Sequence, residues 1–394
     1  MAERIRWGVL ATGNVAVTFT KDLLVDPKTR GVDRLVHTVT AVASSSSAAR
    51  AADFLKEVGA PEDAKAYGSY KELVNDPNVD IIYVSTPHSH HFQNVMLCLE
   101  AGKNVLCEKA FTVNAAQART VVEKAREKNL FLMEAVWTRY FPLSMYVRDL
   151  ITSGKLGNVT RVFADNSVAL NPETTFADGT HRMVNPDLAG GALLDMGIYS
   201  LTWVFQCLYL TQPEAERKPP KVMSSMQKYE PTGVDESATI LLTFPRGSQG
   251  DAHGVATTSM RVATNPDKKG TAGPGVRVQG DKGEVQIMPP IQRPTRTKLV
   301  LHNGLIEEKT WTPPGPGVGS GWRNGFGINL HPEGVGHGMF WEADEAGLAL
   351  LEGRKESRLE SLEESITIME IMDEVRRQGG FTLPENIETT DYLI

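Results

Sequence analysis

Cysteine is scarce: the 394-residue chain has three, Cys98, Cys107 and Cys207, all in apolar runs and none at metal-ligand spacing. A disulfide framework is therefore not expected. Positive charge is not in excess, because 41 basic residues face 48 acidic ones, a formal charge of −7. No basic field exists to draw in nucleic acid or anionic lipid. No apolar run is expected to reach membrane-spanning length, so no membrane partner is anticipated. The opening Met-Ala-Glu-Arg-Ile-Arg-Trp lacks the apolar core of a leader, and the closing Asp391-Tyr392-Leu393-Ile394 is no known targeting signal. Cytoplasm is the expected location. What is present is ordinary for a globular enzyme, with 41% hydrophobic and 23% charged residues over a length that suggests two or three domains.

The N-terminal half alternates strand and helix. Ile5–Leu10 is apolar, Ala11-Thr12-Gly13-Asn14-Val15 forms a turn, and a helix follows through Leu24. Strand, tight turn, helix is the context of a dinucleotide-binding loop: Gly13 lets the backbone approach a pyrophosphate at the helix N-terminus. Ala11 stands where the first glycine of that fingerprint belongs. The second strand, His37–Ala43, runs into Ser44-Ser45-Ser46-Ser47 with no carboxylate to hold ribose hydroxyls. Serines, with Arg50 nearby, suit a 2′-phosphate and so NADP; the plain alternative is a solvated turn and helix cap. Further alternation gives a doubly wound parallel sheet, with helices at 48–58, 70–75, 92–101 and 115–128 and strands at 79–85, 104–107 and 131–134. Ligands bind at carboxyl ends of such strands. Ala11–Val15, Thr86-Pro87-His88 and Glu108-Lys109 are thus the expected cofactor loops. His88, His90 and His91 cluster, but without a third strong ligand no metal is expected.

From Ala135 the pattern changes. Trp137-Thr138-Arg139-Tyr140 is an aromatic junction before a helix at 143–153. Strands at 159–167, 237–244, 254–263, 276–280, 284–288 and 298–302, with a hairpin turn at Gly280–Gly283, imply a large, mostly antiparallel open sheet in an α+β domain. Helices at 338–351 and 362–377 close the chain. The expected division is 1–136 for nucleotide binding and 137–394 for substrate binding and dimerisation. Thr264–Gly275 and Pro313–Gly336 read as long irregular loops.

Gly8–Ala16, Thr86-Pro87 with His91, Glu108-Lys109, Trp137–Pro142 and Asp195–Tyr199 resemble the glucose–fructose oxidoreductase/inositol dehydrogenase (Gfo/Idh/MocA) family. Tyr67–Tyr70, Thr86–His91, Leu132–Arg139, His181–Pro186 and Gly336–Ala343 narrow the resemblance to its NADP-dependent D-xylose 1-dehydrogenase and dimeric dihydrodiol dehydrogenase branch. Ala110 departs from the wider family, which has proline there, and the Pro313–Gly336 loop is longer than the family leads one to expect. The resemblance implies a Rossmann domain, NADP, a homodimer through the C-terminal sheet, and oxidation of the anomeric carbon of an aldopyranose, foremost D-xylose, to a lactone. A dihydrodiol or glucose-type substrate, or a non-catalytic cofactor-binding regulator, are the rival readings. The presence of both Lys109 and Tyr199 argues against the regulator.

Relatives use a lysine, a tyrosine and an aspartate at the positions of Lys109, Tyr199 and Asp195. A free phenol, with a pKa of about 10, is a weak base near neutrality, and a neighbouring ammonium favours its phenolate. Tyr199 is expected as general base and Lys109 as its partner, although Lys109 could itself take the proton. Asp195, four residues before Tyr199, would share its helix face and bond a sugar hydroxyl or orient Lys109. Trp137 and Arg139 are expected beside the nicotinamide, with domain-junction packing as the alternative. Trp137, Arg182 and Asn185 are expected to touch sugar; Arg182 and Asn185 could instead only fix their loop.

Overall fold

The structure is a computed structural model that describes residues 2–326 and 330–393. Its first half runs β1 (Glu3–Leu10), α1 (Asn14–Leu23), β2 (Leu35–Ala43), α2 (Ala48–Val58), β3 (Lys65–Tyr67), α3 (Tyr70–Val74), β4 (Ile81–Val84), α4 (His91–Glu100), β5 (Asn104–Glu108), α5 (Ala115–Glu127) and β6 (Leu132–Ala135). Then come α6 (Pro142–Thr152), β7 (Val159–Ser167), the single turn α7 (Pro172–Thr175), a π-helical segment Leu193–Gly197 and α8 (Ile198–Leu208). Strands β8 (Lys221–Lys228), β9 (Asp235–Phe244), β10 (Ala252–Ser259), β11 (Val276–Gly280), β12 (Gly283–Ile287), β13 (Arg296–Leu301) and β14 (Ile306–Thr310) follow. Helices α9 (Phe340–Leu351), α10 (Leu362–Gln378) and α11 (Glu385–Glu388) end the chain.

The chain forms two compact units. The first contains everything to Trp137, the segment 312–366 and the residues from Thr389 on. Its six strands are all parallel in the order β3-β2-β1-β4-β5-β6, the doubly wound arrangement expected from the sequence. Ile81–Val84 is buried throughout because helices cover both faces. The order reverses at β1, so the loops after β1, β4 and β5 open on the crevice where such sheets bind ligands.

The return of 312–366 to this unit has a polar cause. Trp7 Nε1 donates to His37 Nδ1 at 3.0 Å, which leaves His37 Nε2–H to donate to Asp344 of α9 at 3.0 Å. Arg30 grips the same carboxylate through Nε at 2.5 Å and Nη2 at 2.8 Å. Asp22 of α1, fully buried, accepts from the backbone N–H groups of His337 (2.9 Å), Gly338 (2.6 Å) and Met339 (2.8 Å) and from Asn324 Nδ2 (2.7 Å). A buried carboxylate is tolerated when its lone pairs are filled, and here four donors fill them. The Pro313–Gly336 loop is thereby tied to α1; Gly327–Asn329 within it lie outside the described residues.

The second unit, 138–311 with 367–388, holds an eight-stranded sheet ordered β14-β13-β12-β11-β7-β10-β9-β8. Only β7 and β10 pair in parallel. Helix α8 packs on β7 and β10, and its residues are buried throughout. The stretch Pro186–Leu208, 23 residues at a mean hydropathy of 1.3, corrects the sequence reading, because by length and composition it could cross a membrane. In the fold 89% of its most apolar window is buried, as the core helix of this unit. The hairpin turn is present, with Gly280 opposite Gly283. All three cysteines are free and buried.

Candidate active site

In the first unit, α1 begins at Gly13 with no side chain capping it and no acid in its first turn. Its N–H groups and positive dipole end face the turn Ala11–Val15. Ala11 has φ +88°, the left-handed region that favours glycine, the residue the dinucleotide-binding fingerprint has at this position. Arg50 Nη2, on α2, donates to the Thr12 carbonyl at 3.3 Å, so a cation lies against this turn. Ser44 is buried at the end of β2, and its hydroxyl meets that of Ser46 at 2.9 Å. Ser45 is exposed, while Ser47 is spent as the α2 cap, accepting from Arg50 N at 3.2 Å. Of the four serines, Ser44 and Ser46 are thus the pair whose hydroxyls come together.

The loops after β4 and β5 are joined by one residue. His91 is fully buried, with Nε2 2.9 Å from the Thr86 carbonyl oxygen and Nδ1 2.9 Å from that of Ala110. Burial drives its pKa down to about 4. A neutral imidazole has one N–H, so it donates to one carbonyl at a time. His88 meets His91 edge-on with centroids 5.6 Å apart, and Thr86 Oγ1 accepts from Asn94. Pro87 starts the short 3-10 turn that carries His88. His91 thus bridges the two loops expected to face the cofactor.

Glu108, expected with Lys109 in a cofactor loop, is buried, and so is Glu134, which the sequence reading did not single out. Tyr83 donates to Glu108 Oε1 at 2.5 Å, Lys109 N donates to Glu108 Oε2 at 3.2 Å, and Phe111 N donates to Glu134 at 2.9 Å. Lys109 itself is half-buried, and its peptide bond to Ala110 is cis. Trp137 stacks on His337 with centroids 4.6 Å apart and planes 8° from parallel. Arg139, the second residue of the other unit, is completely buried.

In the second unit, Asp195 and Arg182 are brought together, with Nη1 to Oδ1 at 2.8 Å. Asn185 Oδ1 accepts from Asp187 N at 2.9 Å, the loop-fixing alternative. Tyr199 is buried on α8. One expectation needs correction: Asp195 lies in the π-helical segment and Tyr199 in the α-helix after it, so the four-residue spacing is not one regular α-helical turn. Such π segments frequently occur at functional sites. Lys109 thus belongs to the first unit, and Asp195 and Tyr199 to the second.

A model of an oxidoreductase family with an NAD-binding Rossmann fold matches residues 5–136, and a GFO/IDH/MocA C-terminal domain matches 144–286. The chain is 54% identical to the D-xylose 1-dehydrogenase (NADP(+)) of Hypocrea jecorina, over 98% of this chain and 95% of that protein. It is 36% identical to the trans-1,2-dihydrobenzene-1,2-diol dehydrogenase of Bos taurus, over 97% and 99% respectively. Among solved structures, the aldose-aldose oxidoreductase of Caulobacter crescentus has the same fold, with a TM-score of 0.72 at 21% identity over 96% of this chain and 98% of that one.

Proposed function

Because the chain belongs to the GFO/IDH/MocA oxidoreductase family, we propose that it oxidises the anomeric carbon of an aldopyranose, foremost D-xylose to D-xylono-1,5-lactone, with NADP⁺. The observation that carries this reading is 54% identity over nearly the full length of a D-xylose 1-dehydrogenase. The chain's own residues fit the cofactor. The uncapped α1 N-terminus suits a pyrophosphate, and Arg50 with the Ser44–Ser46 pair suits a 2′-phosphate where no carboxylate competes.

Bound NADP⁺ would supply the hydride acceptor. The protein's part is to hold the sugar and take the proton of the anomeric hydroxyl as the C–H bond breaks and the carbonyl forms. Tyr199 is assigned as the base, and Lys109 as the ammonium that stabilises the phenolate and bonds the same oxygen. Asp195, oriented by Arg182, accepts from a sugar hydroxyl. Trp137 and Arg139 line the nicotinamide side. The 36% identity to a dihydrodiol dehydrogenase supports a trans-diol as the second substrate class. An absorbance assay at the nicotinamide band, with NADP⁺ or NAD⁺ against aldoses and trans-dihydrodiols, tests the reading. No turnover of any aldose with NADP⁺ would refute it.

The second unit also supports a homodimer. On one face of its sheet, Met223, Leu241, Val255 and Phe163 stand opposite one another across β8, β9, β10 and β7. Met223 is 68% exposed and Leu241 37%. Four apolar side chains in lateral register make a patch that two copies can bury by an isologous contact. Light scattering at low micromolar concentration should give the mass of two chains. A single-chain mass would overturn it.

A further inference from the structure

Helix α8 and the π-helical segment before it carry Asp195 and Tyr199, and their N-terminal turn is held by a residue distant in sequence. Asp235, the first residue of β9, is 1% exposed, and its Oδ2 accepts from Leu193 N at 2.6 Å. The chain gives way to let that carboxylate in. Gly191 has φ +129°, and a Cβ there would lie 2.0 Å from Asp235 Oδ1. Gly190 is equally constrained, since its Cβ would lie 2.7 Å from the Arg182 carbonyl oxygen. The Gly190-Gly191 pair therefore admits the carboxylate and turns the chain sharply between Arg182 and Asp195.

We infer that Asp235 is a positioning residue, whose buried carboxylate fixes the turn carrying Asp195 and Tyr199. This rests on the catalytic reading of those two residues. A negative acceptor holds backbone N–H groups at a helix start more strongly than a neutral one. The anchor is thus sensitive to its own protonation, and burial raises the Asp235 pKa to about 6. The charged groups around it are few. Arg376 of α10 favours the carboxylate and is itself paired with Asp373 and Glu388. Lys228 stands opposite on β8 and donates to the Gly380 carbonyl. Glu236, next along β9, is held by Arg261.

The test joins kinetics to amide exchange. In the wild-type protein, protection of the Leu193 amide against local openings that break its bond while Asp235 stays buried, corrected for intrinsic exchange, should fall as pH drops through about 6, because protonation weakens that bond. Asp235→Asn keeps the size and an acceptor oxygen but not the charge. It should lower kcat about tenfold at pH 8, leave KM for the cofactor unchanged, and flatten the kcat profile around pH 6. Gly191→Ala should reproduce the loss of kcat by displacing the carboxylate. Leu193 protection that is independent of pH, or an Asp235→Asn enzyme with wild-type kcat and the wild-type acid limb, would overturn the inference. The exchange measurement does not depend on the assignment of catalysis. If Tyr199→Phe turns over normally, the catalytic reading has failed while the anchor still stands or falls on Leu193.

Discussion

The first unit holds Lys109 on a loop, and the second holds Tyr199 on a helix; the two are fixed by groups of opposite character. Next to Lys109, His91 sits between the Thr86 and Ala110 carbonyls and donates to one of them at a time, as a neutral ring whose pKa burial lowers to about 4. Before Tyr199, Asp235 binds an amide as a carboxylate whose pKa burial raises to about 6. Carbonyl oxygens at a strand end call for a donor, and amides at a helix start call for an acceptor. Burial then resists the charged form of each. The same physical cost therefore pulls the two anchors in opposite directions on the pH axis.

The largest effects should come from the residues proposed to carry the proton transfer. Lys109→Met and Tyr199→Phe should each lower kcat by about 10²–10⁴-fold, while NADPH binding, followed by fluorescence titration, stays near wild type. The expectation places both units in one chemical step. A variant that keeps near wild-type turnover would remove its unit from that step.

The anchors themselves give the next effect. An unfolded histidine has a pKa of about 6.5, so between pH 6.5 and 4 the unfolded state binds more protons at position 91 than the folded state does. The contribution of neutral His91 is thus complete above pH 6.5 and lost as pH falls toward 4, by about 3 kcal/mol. Asp235 has the reverse sign: between about 4 and 6 the folded state binds the extra proton, so its burial penalises stability as pH rises. Denaturant unfolding across this range should show His91→Gln losing less stability than wild type on acidification, and Asp235→Asn losing more. Equal pH slopes in both variants would break the comparison.

Much of the first unit was legible because its strands are buried on both faces and read as unbroken apolar runs, Ile81–Val84 above all. Three of the four edge strands, β3, β8 and β14, were not. Ile306–Thr310 is mostly exposed, and Lys65–Tyr67 has three residues, so neither carries a burial signal in its sequence. Strand β8 alternates only between exposed and half-buried positions. Within the site, residue types at strand ends were readable, since loop and chemistry coincide at Lys109 and Ser44. Asp22 and Asp235 were not, because a buried acid is explained only by donors far along the chain: His337 for the one, Leu193 for the other. The π winding at Asp195 leaves no mark in residue spacing.

The residues proposed to select the cofactor, Ser44 to Ser46 and Arg50, all lie in the first unit, which sharpens the comparison. Arg50→Ala should raise KM for NADP⁺ about tenfold, the scale of one charge-assisted hydrogen bond. Ser45→Asp should move preference toward NAD⁺ by repelling a 2′-phosphate. Both are read as kcat/KM ratios for the two cofactors. Wild-type efficiency with NAD⁺ equal to that with NADP⁺ would defeat the assignment of this cluster.

The smallest effect tests the turn at the start of the first unit. Ala11 has φ +88°, where the Cβ of an L-residue costs roughly 1–2 kcal/mol. The turn is still held, because Ala11 N donates to the Ala43 carbonyl at 3.1 Å across β1 and β2. Ala11→Gly removes that clash but returns about 0.5–1 kcal/mol of chain entropy to the unfolded state. The balance is a gain of about 0.5–1 kcal/mol, or roughly 1–4 °C in the melting temperature of the first unit. The second unit should melt unchanged, since its corresponding sharp turn already has Gly190 and Gly191. Calorimetry, with amide exchange to report each unit separately, reads both halves of this expectation. An Ala11→Gly protein no more stable than wild type would show that the left-handed alanine is relieved by its surroundings and is no burden to the fold.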